Sequence, residues 1–252
     1  MGRVAVERSG GADAARTLAL LWRTPPSPKL GRKPKVTVDQ IVTAAVAVAD
    51  REGLGAMSMA RVAHELDVGT MSLYTHVPGK SELVDLMADW VLRERDLVAA
   101  GTWRERIKHY ADRTRAVYHA HPWMRDVSMA RPPLGPGLMA GEEFVLAALT
   151  AAGLRPHQIP MAHRAIEEFV HGAAASEVDD QRLAAATGES SDSWWRARQT
   201  FWDDYFDPER YPVMTSLWHA GAYEVQGTLA DAARTAFDYG LDRMLDGIEG
   251  GL

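Results

Sequence analysis

With 252 residues, 46% of them hydrophobic, the chain can bury a sizeable core and falls outside the class of simple disordered sequences. It contains no cysteine, which excludes a disulfide framework, a zinc finger, a thiolate nucleophile and an iron–sulfur cluster. The formal charge of −6 is unevenly spread, because residues 1–38 hold eight basic side chains against two acidic ones and leave −12 on the remainder. A basic arm on an acidic body is the charge footprint of a nucleic-acid binder whose larger part has another duty. No run of about 18 apolar residues and no apolar leader after Met1 occurs, so a cytoplasmic chain without membrane insertion is expected.

In chain order, residues 1–36 combine that basic charge with Pro25, Pro26, Pro28 and Pro34, and read as an extended, flexible arm in which only Leu18–Trp22 is apolar. Thr37-Val38-Asp39-Gln40 has the spacing of a capping box, and Val38, Ile41, Ala45, Val48 and Ala49 then recur at helical spacing up to Gly53. Ser58 can cap a short helix ending near Leu66. Asp67-Val68-Gly69 follows as a tight turn, and a second short helix runs from Thr70 to Val77 before Pro78-Gly79. A longer helix starts near Lys80. Two short helices about a three-residue turn, propped by a helix on either side, form a helix-turn-helix, giving a DNA-binding domain over 37–80 and a linking helix over 81–100.

Beyond Trp103 every apolar pattern is longer than a strand, and helices are expected at 102–120, 122–129, 138–152, 157–187, 192–206 and 227–248, with 207–226 irregular. The fold class is all-α: a three-helix helix-turn-helix domain followed by a larger helical domain over 81–252.

A recognition helix in the major groove needs small or hydrogen-bonding side chains outward and apolar ones inward. Leu73 and Val77 supply the inner face, leaving Thr70, Met71, Ser72, Thr75 and His76 for base edges. Tyr74 and Lys80 suit phosphates, Arg32, Lys33 and Lys35 can enter the neighbouring minor groove, and Ser58 and Arg61 are further candidate DNA contacts. Gly79-Lys80-Ser81 imitates the end of a phosphate-binding loop, but the glycine that motif needs is replaced by Tyr74. No cofactor or catalytic site is expected.

Leu73-Tyr74-Thr75-His76-Val77-Pro78-Gly79-Lys80, with the helices around it, resembles the hallmark of the tetracycline-repressor-like (TetR) transcriptional regulators, and Phe237–Gly247 resembles the last helix of their effector domain. The resemblance implies a homodimer that represses transcription on a palindromic double-stranded operator and lets go when a small molecule enters the carboxy-terminal domain. It implies dimer contacts through the helices near 157–187 and 227–248. It also implies a histidine shortly before Arg131-Pro132 if the effector is a magnesium–tetracycline chelate. Ser128 stands there, so a hydrophobic or aromatic, metal-free effector is expected. Candidate effector contacts are Trp103, Tyr110, Tyr118, Trp123, Met129, Phe144 and Trp195, together with His163, Glu167 and His171, which share one helix face at four-residue spacing. That face reads either as a polar or metal-binding rail or as a solvated stripe; an all-α enzyme is the alternative to a regulator.

Overall fold

The computed structural model describes residues 14–24, 36–224 and 227–251. Among them every regular element is helical. Arg32, Lys33 and Lys35 lie outside the described residues. None of the described helices is long and apolar enough to cross a membrane.

The expected extended arm contains a helix, α1 (Ala14–Leu21). It packs on α5 (Lys80–Leu92) and buries Leu21. Trp22 Nε1 donates to the Leu134 carbonyl at 2.9 Å, and Arg23 pairs with Asp39 at 2.7 Å. Proline density and charge gave the wrong reading here because the four prolines all follow Leu21, leaving an alanine- and leucine-rich stretch free to coil.

Helix α2 (Val38–Glu52) starts at the expected box: Thr37 Oγ1 accepts from the Gln40 amide at 3.2 Å and the Gln40 side chain accepts from the Thr37 amide at 2.9 Å. Gly53 ends it at φ +82°, a conformation that a side chain would strain. Helices α3 (Met59–Glu65) and α4 (Thr70–Tyr74) follow, and α4 stops three residues earlier than the periodicity suggests. The turn between them is locked by Val68 N donating to Ala63 O at 3.0 Å and Ser72 N to Gly69 O at 2.8 Å. Ile41, Val42, Ala45, Met57, Val62, Leu73, Val77, Leu83 and Met87 are buried together as the core of this bundle.

After a 3₁₀ turn at Arg93–Arg95 come α6 (Trp103–Ala120) and α7 (Pro136–Ala151). A second capping box, Thr102 with Glu105, fixes the start of α6. The expected helix at 122–129 is instead a short 3₁₀ turn, Pro122–Asp126, which ends before Pro132-Pro133.

Helices α5 and α7 touch at backbone distance. A Cβ on Gly137 would lie 2.1 Å from the Asp89 carbonyl oxygen, and one on Gly141 would lie 2.3 Å from Arg95 Nη2. In the space so kept, buried Asp89 accepts from the Leu138 amide at 3.0 Å, and buried Arg95 donates to the carbonyls of Leu92 and Gly137 at 2.9 and 2.8 Å. Both charges are thus hydrogen-bonded, the condition under which burial is tolerable.

The chain forms two compact units, one ending at Ala175 and the other spanning Ser176–Gly251. Helix α8 (Ile159–Thr187) runs through that division. The second unit holds α9 (Ser191–Arg196), α10 (Thr200–Asp204), α11 (Pro212–His219) and α12 (Leu229–Glu249). The single helix expected over 192–206 is therefore two, and the stretch expected to be irregular contains α11, started by Pro212 at its first position. A third capping box, Thr228 with Asp231, begins α12, whose buried stripe is Phe237, Leu241 and Leu245.

Candidate nucleic-acid interface and ligand cavity

Helix α4 is held from behind by Leu73 and Val77, both fully buried. That anchoring turns Met71 (76% exposed), Tyr74 (41%) and Thr75 to solvent, with Thr70, Ser72 and His76 half-buried along its flanks. Thr75 Oγ1 donates to the Met71 carbonyl at 3.1 Å. A small, mostly uncharged outer face of this kind matches the demands of major-groove reading.

Ser58, Arg61 and Lys80 are already engaged within the bundle. Ser58 caps α3, accepting from the Arg61 amide at 3.1 Å. Arg61 binds Glu52 at 2.7 Å and Glu65 at 2.9 Å, and Arg51 adds a third pair to Glu65 at 3.0 Å. The hydrogen bonds from Arg61 hold both carboxyls below the usual range. Lys80 Nζ donates to the Leu54 carbonyl at 3.3 Å, tying the start of α5 to the end of α2.

The recognition bundle is wired to the helices behind it through His121. Its Nδ1 lies 2.9 Å from Asp50 on α2 and its Nε2 lies 3.0 Å from Glu94, while Trp123 Nε1 donates to the same Asp50 oxygen at 2.7 Å. Burial opposes charging the ring, but the hydrogen bonds to Glu94 and Asp50 outweigh it and raise the His121 pKa above its ordinary value. Sequence reasoning missed this link, since its members are 71 and 27 residues apart.

A cavity of about 460 Å³ opens within the first unit, walled by the 129–132 loop, α7 and α8. Of the expected effector contacts, Met129, His163, Glu167 and His171 line it. Tyr110 and Tyr118 stand behind that wall, Tyr110 donating to Glu167 at 3.5 Å and Tyr118 joined to His171 Nδ1 at 3.0 Å. Burial raises the Tyr110 phenol and pushes that of Tyr118 up to about 12, so both are protonated donors.

Trp103, Trp123, Phe144 and Trp195 are not part of the cavity lining. Trp103 carries Arg104 on its face at 5.7 Å, Trp123 is core, and Phe144 lies 6.3 Å from the His109 ring. Trp195 borders a shallower depression in the second unit with Trp202 and Asp192. The lining that sequence reasoning missed is Glu142, Arg164 and Glu168 together with Leu138, Pro132 and Pro160. Glu142 comes from α7, so helical spacing on α8 could not have shown it.

The cavity is more charged than the expected apolar pocket. Burial and then the Glu142 carboxylate push Glu167 up to about 7, while burial and then the Arg95 guanidinium push His171 down to about 4. Arg164 is neutralised by Glu168 at 2.6 Å.

A family model described as the tetracyclin repressor-like C-terminal domain matches residues 97–251, and one described as bacterial regulatory proteins, tetR family, matches residues 41–87. The chain is similar to the HTH-type transcriptional repressor DrrR1 of Streptomyces coeruleorubidus, at 43% identity over 246 residues covering 96% of this chain and 88% of that protein. Among solved structures it is similar to the TetR family protein ActR of Streptomyces coelicolor in complex with actinorhodin, with a TM-score of 0.71 and 29% identity over 86% of this chain and 97% of that one. ActR in complex with (S)-DNPA gives a TM-score of 0.70 and 28% identity over 88% of this chain and 100% of that one. With a helix-turn-helix at one end and a repressor-like helical domain over the rest, this chain belongs to the TetR family of bacterial transcriptional regulators.

Proposed function

We propose that the protein is a transcriptional repressor that acts as a homodimer on a palindromic operator and is released when a small molecule fills the 460 Å³ cavity. The observation that carries the reading is the pairing of an outward-facing α4 with a cavity built into the same compact unit. Repression is supported by the similarity to the transcriptional repressor DrrR1, and small-molecule binding is supported by the similarity to ActR, which is seen in complex with actinorhodin. The effector is a hydrophobic or aromatic compound that lies against Met129, Pro132, Leu138 and Pro160 and turns polar groups toward His163 and His171.

Release is a coupling free energy: the ligand favours a dimer whose α4 helices no longer match successive major grooves, and operator affinity falls by the same factor by which DNA weakens ligand binding. Dimerisation through α8 and α12 is supported by the exposed large side chains that those helices carry, Leu183 on α8 and Tyr239 on α12.

A gel-shift titration on DNA upstream of the protein's own gene, against non-specific competitor, tests the reading. A retarded complex that survives competitor and shrinks on adding actinorhodin, the compound seen bound to ActR, is the expected result. Equal retention of any duplex overturns it.

A further inference from the structure

We infer that Glu142, His163 and Glu167 form a site for one divalent transition-metal ion of the zinc type, on the wall between α7 and α8. The three ligand atoms lie within 4.8 Å of one another. His163 Nε2 is 3.1 Å from Glu142 Oε2 and 3.6 Å from Glu167 Oε1. In a tetrahedral zinc centre with bonds of about 2.0–2.2 Å, neighbouring ligand atoms are separated by roughly 3.3 Å, so these spacings already bracket a common centre.

A second observation concerns the imidazole alone. His163 is only 8% exposed, and its Nε2 has no hydrogen-bond partner although a carboxylate oxygen stands 3.1 Å away. The contact is close enough but misdirected, as when two atoms point past each other toward a third position. An orphaned buried ring nitrogen is rare unless it has another task.

The surroundings suit an ion. Two carboxylates in each other's reach, partly buried, repel when both are charged, and a cation removes that cost. Tyr110 donates to the Glu167 oxygen that faces His163, the outer hydrogen bond that orients a ligating carboxylate. The two nearby guanidiniums are occupied, Arg164 by Glu168 and Arg95 by two carbonyls. All three residues also line the cavity, so a fourth coordination position opens into it.

This centre differs from the face expected on α8. His171 turns to Tyr118, and Glu142 of the neighbouring helix takes its place. None of the three stands at position 128, where the resemblance puts the histidine of a magnesium–tetracycline site. A mixed nitrogen and carboxylate set favours zinc, cobalt or nickel over magnesium. The inference goes beyond the regulatory reading and needs neither DNA nor effector to be tested.

Tag-free protein, stripped with chelator, is titrated with Zn²⁺ by calorimetry and with Co²⁺ by visible absorption. One ion per chain is expected, with the intense bands of four-coordinate Co²⁺ bleached by Zn²⁺. His163→Ala abolishes the bands, and Glu142→Gln and Glu167→Gln each weaken Zn²⁺ at least about tenfold. His157→Ala, on a histidine outside the cluster, leaves binding unchanged. Should His163→Ala lose its helical circular dichroism, Glu142→Gln decides, because that side chain is partly exposed. Absence of saturable micromolar binding, retention of full affinity in Glu142→Gln, or equal competition by Mg²⁺ overturns the site.

Discussion

The recognition helix and the cavity wall solve opposite problems with the same material. In α4 the proposed DNA contacts are the side chains left over after Leu73 and Val77 are buried, so the candidate face is the complement of packing and follows from one helix's period. In the cavity the candidate ligand-contacting groups are themselves partly buried and come from α7, α8 and the loop between Met129 and Pro132, so the proposed site depends on how closely separate helices approach. A surface reader tolerates change outside its exposed stripe; a cavity inherits every change in helix spacing. Mutations at the two regions should therefore separate cleanly.

The largest effect should come from the helix spacing. Gly137→Ala puts a methyl 2.1 Å from the Asp89 carbonyl oxygen, which cannot rotate away as a side chain could. Helices α5 and α7 must part, loosening the buried bonds of Arg95 and Asp89. A loss of about 3 kcal/mol is expected in urea denaturation, at the upper end for overpacking. A change below about 0.5 kcal/mol would mean that the wall is not tightly coupled to α5.

The next effect falls on the reader. Tyr74→Ala should weaken operator binding by about 1–3 kcal/mol with an unchanged denaturation midpoint, since the ring is 41% exposed. The loss should be similar on every sequence and leave the salt slope intact. Thr70→Ala and Ser72→Ala should instead change the ranking of operator variants by quantitative gel shift; uniform losses would make them backbone contacts. Lys80→Ala should reduce the salt slope by about one if its ammonium leaves Leu54 for a phosphate, and should leave the slope alone if it stays.

That contrast also sets how much was legible in the sequence. The Thr37 box, the turn at Asp67–Gly69 and the Leu73/Val77 face were readable because each involves residues within about four positions, where backbone geometry alone fixes who meets whom. The same locality gave α6, α7, α8 and α12 to within two residues of their starts. It misled where a turn of the chain competes with propensity, as at α1 and at the break between α9 and α10. Spacing on α8 correctly put His163 and Glu167 on one face. It could not supply Glu142 or the Tyr118 contact of His171, because both follow from the approach of α7 and α6.

The smallest effect expected is also the one that joins the two regions. His121 is bonded to Asp50 of the reader and to Glu94 of the body, and these bonds raise its pKa in the fold. A group whose folded pKa is raised stabilises fully below its unfolded value, near 6.5, and that contribution disappears as pH climbs through the higher folded value. The melting temperature should therefore decline above about pH 6.5, each kcal/mol corresponding to about 2–4 °C in a domain of this size. Glu167 acts in the same direction but earlier, since an acid raised to about 7 loses its advantage between its ordinary value of 4.5 and that point. Subtracting a His121→Gln profile from the parent's isolates the later decline, because the variant keeps Glu167 and loses only the titrating ring. If the two profiles run parallel above pH 6.5, the imidazole bridge contributes nothing as a cation, and coupling between reader and cavity must then run through the Trp123–Asp50 bond and the packing of α5.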